Sequence, residues 1–329
     1  MITSRRVTDV TLTARNLRLV PEYRHDPILD RRTIIAAERS ARPYTAPAAS
    51  APPTGPEHCP FCPGHEDRTP PETYRTGPGA PDTEGWSVRV VPNLYPIVGA
   101  DRESRTGDAT GAHEVIILSP DHDAGFAQLS DEHAVEALTV IRDRARVHLA
   151  AGRAFVTSFI NHRRGAGASI EHPHAQLVAP DAPSDAVRAM TERFTTDLIA
   201  REMADARRAG LVVVEGPAMA WCPPASWSPY LMRVAHRSTR ARFDEATDAE
   251  IRVVANALHA ALTRVAETLG EVAYNVVVHT APPGIRAGEM HWHVEVVPRT
   301  GVVAGFEFGS GIFVNSVAPD QAAAYLRGD

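Results

Sequence analysis

Apolar positions along the chain alternate in some stretches and recur every three or four residues in others, which divides it into short strands and longer helices. Arg32–Ala37 is a short apolar run that reads as a strand. Trp86–Val98 alternates, is rich in β-formers, and reads as a strand ending at Asn93 or Pro96. The pattern sharpens from Gly111. His113–Leu118 is a strand stopped by Ser119-Pro120-Asp121-His122. A helix follows, with Ser130 as its N-cap, a stripe of Val135, Leu138, Ala145 and Leu149, and Gly152 where a C-terminal cap belongs. Phe155–Asn161 is a second strand. The loop Arg163–Ala168 leads to a third, His172–Val178, which is expected to end before Pro180.

Residues 184–208 read as one long helical stretch, and then the series repeats. Tyr230–Ala235 is a strand ending at His236. A helix opens with the capping box Thr247-Asp-Ala-Glu250, carries Ile251, Val254, Leu258, Leu262, Val265 and Leu269 on one face, and stops at Gly270. Val272–His279 and His291–Val297 are strands flanking a Pro/Gly loop. His172 lies 11 positions after Asn161, and His291 lies 12 after His279. This is a degenerate internal duplication, and it implies an α+β fold: an antiparallel sheet with flanking helices, built from halves 1–183 and 184–329. One shared sheet and two separate lobes are both compatible with it.

Composition narrows the chemistry. All 34 basic residues are Arg, so lysine Schiff bases and a Walker-type lysine loop are excluded. Phosphate must be held by Arg, main-chain amides or helix ends. A net charge of −6 without a basic cluster argues against nucleic acid and membrane surfaces as partners. Three cysteines, no apolar leader in Met1–Val7 and no long apolar run point to a cytoplasmic protein with reduced thiols. The loops 43–56 and 63–83 are rich in Pro.

Two clusters carry chemistry. In Glu171-His-Pro-His-Ala-Gln176, a strand would put His172, His174 and Gln176 on one face beside a Gly-rich loop. One imidazole would then be a nucleophile or a metal ligand, Gln176 an oxyanion donor, and Gly165 and Gly167 would open amides to phosphate. Cys59-Pro-Phe-Cys62 sits in a Pro-rich loop, which favours half of a zinc site over a redox pair; His122 and His172 are placed at sheet ends to complete it.

The segments CPFC, VPNLYPIV, SPDH, NHRRGAGASIEHPHAQ, HWHVEVVPR and GFEFGSG resemble the galactose-1-phosphate uridylyltransferase family of the histidine-triad superfamily, over about Asp26 to Tyr325. That resemblance implies two histidine-triad-like halves, usually dimeric, so a homodimer is expected. It implies His174 as the nucleophile that takes a nucleotidyl group from a UDP-sugar and passes it to a hexose 1-phosphate. The textual match gives one zinc on Cys59, Cys62, His122 and His172. Gln176 and Ser169 would hold phosphoryl oxygens, with Gly167 in the same loop. Arg39 and Arg42 resemble phosphate-binding arginines, Asn93 and Asn161 nucleotide-site residues, and Glu307 a carboxylate that reads sugar hydroxyls, across a dimer interface. The C-terminal half lacks the CxxC of relatives with a second metal; Cys222 is single and reads as packing. The leading expectation is exchange between UDP-glucose and galactose 1-phosphate. The alternatives are a phosphorylase or adenylyltransferase acting on ADP-glucose, a silent nucleotide sensor, and a zinc-dependent nucleic-acid module.

Overall fold

The computed structural model describes residues 21–36, 55–99, 109–194, 197–238, 240–285 and 290–329. Arg39 and Arg42 lie outside these. The first strands are β1 (Glu22–Asp26), β2 (Arg31–Ile35), β3 (Tyr74–Arg75), β4 (Arg89–Pro92) and β5 (Gly111–Ile117). Helix α1 (Asp131–Ala150), β6 (Thr157–His162) and β7 (His174–Pro180) follow. Next come α2 (Asp185–Arg193), α3 (Leu198–Arg208), β8 (Val212–Val214), β9 (Ala218–Trp221) and β10 (Met232–His236). The last elements are α4 (Asp248–Leu269), β11 (Tyr274–His279), β12 (His293–Pro298), α5 (Gly305–Ser310), β13 (Phe313–Asn315) and α6 (Pro319–Arg327).

Ten strands form one sheet in the order β3-β4-β5-β7-β6-β11-β12-β10-β9-β8, and β1, β2 and β13 form a small separate one. The run β5-α1-β6-β7 is repeated as β10-α4-β11-β12, and the two runs occupy mirrored places in that order. They join where β6 pairs antiparallel with β11, from Tyr274↔His162 to Val278↔Ser158. The duplicated halves therefore share a continuous sheet rather than forming separate lobes.

The strand alternation decides the two faces of this sheet. Ser158, Ile160, Val276, Val278, Val294 and Val296 are buried on one face, against α1 and α4. Full burial of the Ile and Val side chains among them contributes about 1.5–3 kcal/mol each. Both helices begin as their sequences specify: Ser130 accepts the His133 N–H, and Thr247 and Glu250 close a reciprocal capping box. Gly270 ends α4 at φ +68°, which favours glycine. On the other face of β6 and β11, Thr157, Phe159, Asn161, Asn275, Val277 and His279 are only half-buried. This leaves an uncovered strip across the join between the halves.

Several sequence expectations need correction. Residues 184–208 form two helices, because buried Phe194 ends the first and Asp197 caps the second. The third strand starts at His174, not His172, and runs through Pro180. The glycine-rich 305–309 segment is helical, in α5. Strands β1, β8, β9 and β13 and helix α6 carry no earlier assignment, and β3 interrupts the 63–83 segment that its composition marked as loop. Cys222 is buried in the main core. Among the described residues, no helix is long and apolar enough to cross a membrane.

Candidate functional site

The loop bearing Cys59 and Cys62 folds as a tight turn, with the Cys62 N–H donating to the Cys59 carbonyl at 3.4 Å. Phe61 anchors it in a small core with Trp86, Val91, Val115 and Ile117. His122 follows β5, and His172 stands two residues before β7. Cys62 Sγ lies 3.2 Å from His122 Nδ1 and 3.5 Å from His172 Nδ1. The four donor atoms of Cys59, Cys62, His122 and His172 all lie within 4.8 Å of one another. His172 Nε2 donates to the Ser119 carbonyl at 2.7 Å, so Nδ1 keeps its lone pair for the cluster. Burial lowers the His172 pKa to about 4 and pushes the Cys62 thiol up to about 12. Two imidazoles and two sulfurs around one point are the donor set of a tetrahedral zinc site, and the residues fit a cation of that kind. A bound cation would supply the positive charge that thiolates need there, tying a Pro-rich loop to the end of the sheet.

His174 opens β7 opposite Ile117 and is almost fully buried. Its Nδ1 donates to the His172 carbonyl at 2.8 Å, which leaves the lone pair on Nε2. Phe61 meets the ring edge-on at 5.3 Å. Burial lowers its pKa, so the imidazole is neutral near neutral pH.

Gln176 lies two residues further along the same face of β7. Its Oε1 is 2.9 Å from His113 Nε2. Asn161, on neighbouring β6, accepts at Oδ1 from Asn275 Nδ2 at 2.8 Å. The loop between these strands contains the single helical turn Arg164–Ala166, followed by Gly167 at φ +95°. Gly167 and Ser169 are exposed. Asn93 Oδ1 accepts the Tyr95 N–H at 2.8 Å, and its Nδ2 lies 3.1 Å from His113 Nε2. The fold thus gathers His174, Gln176, Asn161 and Asn93 along one sheet face, beside the Cys/His cluster. Glu307 is not joined to them: its carboxylate accepts the Ala304 N–H at 3.0 Å and caps α5.

Two comparisons give this site relatives. An ADP-glucose phosphorylase of Arabidopsis thaliana is 28% identical over 93% of this chain and 92% of its own. A galactose-1-phosphate uridylyltransferase of Thermotoga maritima is 24% identical over 93% of this chain and 98% of its own. The crystal structure of an Arabidopsis thaliana ADP-glucose phosphorylase with bound ADP-glucose superposes with a TM-score of 0.80 at 25% identity, covering 94% of this chain and 99% of that one. Residues 111–326 match the profile of a family described as a domain of unknown function, DUF4921. The chain belongs to this family, within the uridylyltransferase-like histidine-triad superfamily. It is an enzyme of that superfamily, with the α+β architecture of its relatives.

The C-terminal half of this uridylyltransferase-like chain keeps part of the same geometry. His293 Nδ1 donates to the His291 carbonyl at 3.1 Å, as His174 does to His172. By strand register, Glu295 takes the place of Gln176, and buried Arg233 that of Val115. His279 stacks on His293 at 4.8 Å. Although burial works the other way, His279 and the Arg233 guanidinium hold the Glu295 carboxyl well below the usual range. A fixed carboxylate there repels phosphate, so the two halves are chemically unequal. Among the described residues, Cys59, Cys62, His122 and His172 form the one cluster close enough to hold a metal ion.

The sequence reading passed over His113, Asn275 and Arg233. His113 and Arg233 each stand in a strand that the pattern identifies, and a polar side chain on a sheet face was the available signal. Asn275 carried the same signal, one position from the centre of an otherwise Val-rich strand.

Proposed function

We propose that this enzyme transfers a nucleoside monophosphate from a nucleotide sugar to an acceptor through a nucleotidyl-histidine, and that the pair it serves is ADP-glucose and inorganic phosphate. The observation that carries the chemistry is the His174 ring: Nδ1–H is committed to the His172 carbonyl, so the Nε2 lone pair is the one available for attack. In the first half-reaction Nε2 bonds to the α-phosphorus. The bond from that phosphorus to the bridging oxygen breaks, and its electron pair leaves with glucose 1-phosphate. In the second, a phosphate oxygen attacks the same phosphorus, the P–N bond breaks, and ADP departs with His174 restored. Gln176, Asn161 and the Gly167–Ser169 amides would take up negative charge on the phosphoryl oxygens. Arg39 and Arg42 would add cationic contacts, and Asn93 would face the nucleoside.

The phosphorolytic reading is preferred because the full-length likeness to an ADP-glucose phosphorylase has the higher identity of the two. The uridylyltransferase reading shares the first half-reaction and differs in base and acceptor. One zinc per chain on Cys59, Cys62, His122 and His172, and a homodimer in which Glu307 reaches the partner's sugar site, complete the proposal.

The test uses ADP-glucose and UDP-glucose radiolabelled at the α-phosphate. Wild-type protein should take up label from ADP-glucose and release it to inorganic phosphate as ADP, while His174→Ala takes up none. Label held by His174→Ala would reject the nucleophile. Discharge by hexose 1-phosphate but not by phosphate would favour the transferase.

A further inference from the structure

Gln176 and Asn161 can help a phosphoryl group only by their amide N–H faces; turned over, each would present a carbonyl oxygen to phosphoryl oxygens and repel them. Nothing in a side-chain amide fixes that choice, since its two ends have nearly the same shape. The choice is made by neighbours, and in both cases it traces back to a main-chain group whose role is unambiguous.

For Gln176 the main-chain group is the Ile97 amide, which donates to His113 Nδ1 at 3.2 Å. The proton of neutral His113 is therefore on Nε2, a placement that satisfies both Ile97 and Gln176 and leaves the Asn93 NH2, 3.1 Å from the same nitrogen, without a hydrogen bond to it. Burial pushes the His113 pKa down, which keeps the ring neutral. Nε2–H then donates to Gln176 Oε1 at 2.9 Å, and the Gln176 NH2 is turned away from His113. For Asn161 the main-chain group is the Ala166 carbonyl, which can only accept. Asn275 Nδ2 donates to it at 2.8 Å and gives its second hydrogen to Asn161 Oδ1 at 2.8 Å. The Asn161 NH2 is thereby turned toward Gly167, with Nδ2 3.8 Å from the point a Cβ there would occupy. In the register of β6 on β7, Ile160 faces Ala175, so Asn161 comes one step on, beside His174. The two oriented amides therefore bracket the reacting imidazole, one along its strand and one across.

We propose that His113 and Asn275 are positioning residues of the transfer reaction, each tying off the carbonyl end of one amide so that the NH2 groups of Gln176 and Asn161 point at the phosphoryl oxygens. The assignment rests on the nucleotidyl-histidine reading above. It also gives the C-terminal half a part in the chemistry of the N-terminal half, because Asn275 is on β11.

A double-mutant cycle on single-turnover labelling of His174 by ADP-glucose radiolabelled at the α-phosphate tests this. His113→Phe and Asn275→Leu should each slow labelling about tenfold to a hundredfold, somewhat less than the ~10²–10³ lost with an oxyanion donor itself. The ADP-glucose concentration giving half-maximal rate should change little. In a Gln176→Met background His113→Phe should cost almost nothing further, and in an Asn161→Ala background the same should hold for Asn275→Leu. His113→Gln, which can accept from Ile97 and donate to Gln176, should recover part of the rate. Thermal midpoints, read in parallel, should not follow this pattern. Full, multiplicative losses in the double mutants would overturn the positioning role while leaving the nucleotidyl-histidine intact. A wild-type protein that takes no label from ADP-glucose or UDP-glucose would overturn both.

Discussion

His172 and His174 are linked by a hydrogen bond in which the side chain of the second holds the main chain of the first, Nδ1 to carbonyl at 2.8 Å. The residue that orients the His174 ring, the proposed nucleophile, thus itself belongs to the Cys/His cluster. For the zinc proposed on this cluster, stripping with a chelator, or Cys59→Ser, should lower the thermal midpoint by ~10 °C. Labelling of His174 should fall with it and return on adding back zinc. Metal analysis alongside calorimetry checks this; an unchanged midpoint in metal-free protein would remove the cluster from the stability of the fold.

Arg233 is fully buried and donates to three carboxylates drawn from distant segments: Asp26, Glu202 at 2.9 Å and Glu295 at 3.3 Å. Trp221 also donates to Glu202, at 2.9 Å. Arg233→Met would leave these acids without their shared guanidinium in a dry interior. The expected loss is about 3–5 kcal/mol in denaturant unfolding, far above that of a surface arginine.

Glu114 predicts a pH dependence. Burial alone would raise its carboxyl, but His148 and the bidentate Arg144, at 2.6 and 2.9 Å, outweigh that and bring it down to about 2, from 4.5. Because the folded-state value is the lower one, the stabilisation is complete above pH 4.5 and is lost as pH falls through about 2. Glu114→Gln should therefore be less stable by about 3 kcal/mol at pH 7, with the gap closing under acid. A gap that is constant from pH 7 to pH 2.5 would contradict the ionic origin.

Arg163 has φ +67° and ψ 163°, a region that only glycine enters without strain. Strain of this kind costs about 1–3 kcal/mol, whereas the bond from Arg163 to Glu271 is exposed to solvent and adds little. Arg163→Gly should raise the thermal midpoint by about 2–4 °C, after allowing for the freedom glycine adds to the unfolded chain. Arg163→Ala keeps the strain and should show no such rise.

What the sequence makes legible is local. Helix α4 announces itself through Thr247, Glu250, its apolar stripe and Gly270, because caps and periodicity are written in adjacent residues. Cys59 and Cys62 are legible for the same reason, and the strand boundaries brought in His122 and His172 before the likeness to known motifs did; the fold gathers all four around one point. Helix α6 had a usable signal too, Pro319 at its start and Gly328 at its end. The break between α2 and α3 did not, since it depends on Phe194 turning into a second core. The least legible features are long-range: His113 on Gln176, Asn275 on Asn161 and Arg233 among its acids are pairings between strands that no sequence spacing encodes. The short helix around Glu307 was also hidden, because the glycines beside it are poor helix formers.

The seam between β6 and β11 has a consequence for how the molecule can be divided. Each half, cut free near residue 184, would expose a central strand with unpaired main-chain groups on its edge, lined on one side by Ile160 or by Val276 and Val278. Such an edge is a template for strand addition by any other copy. The intact chain escapes this because each half serves as the other's edge protection. A gene split at this point should therefore yield two insoluble fragments when expressed apart and a soluble pair when expressed together.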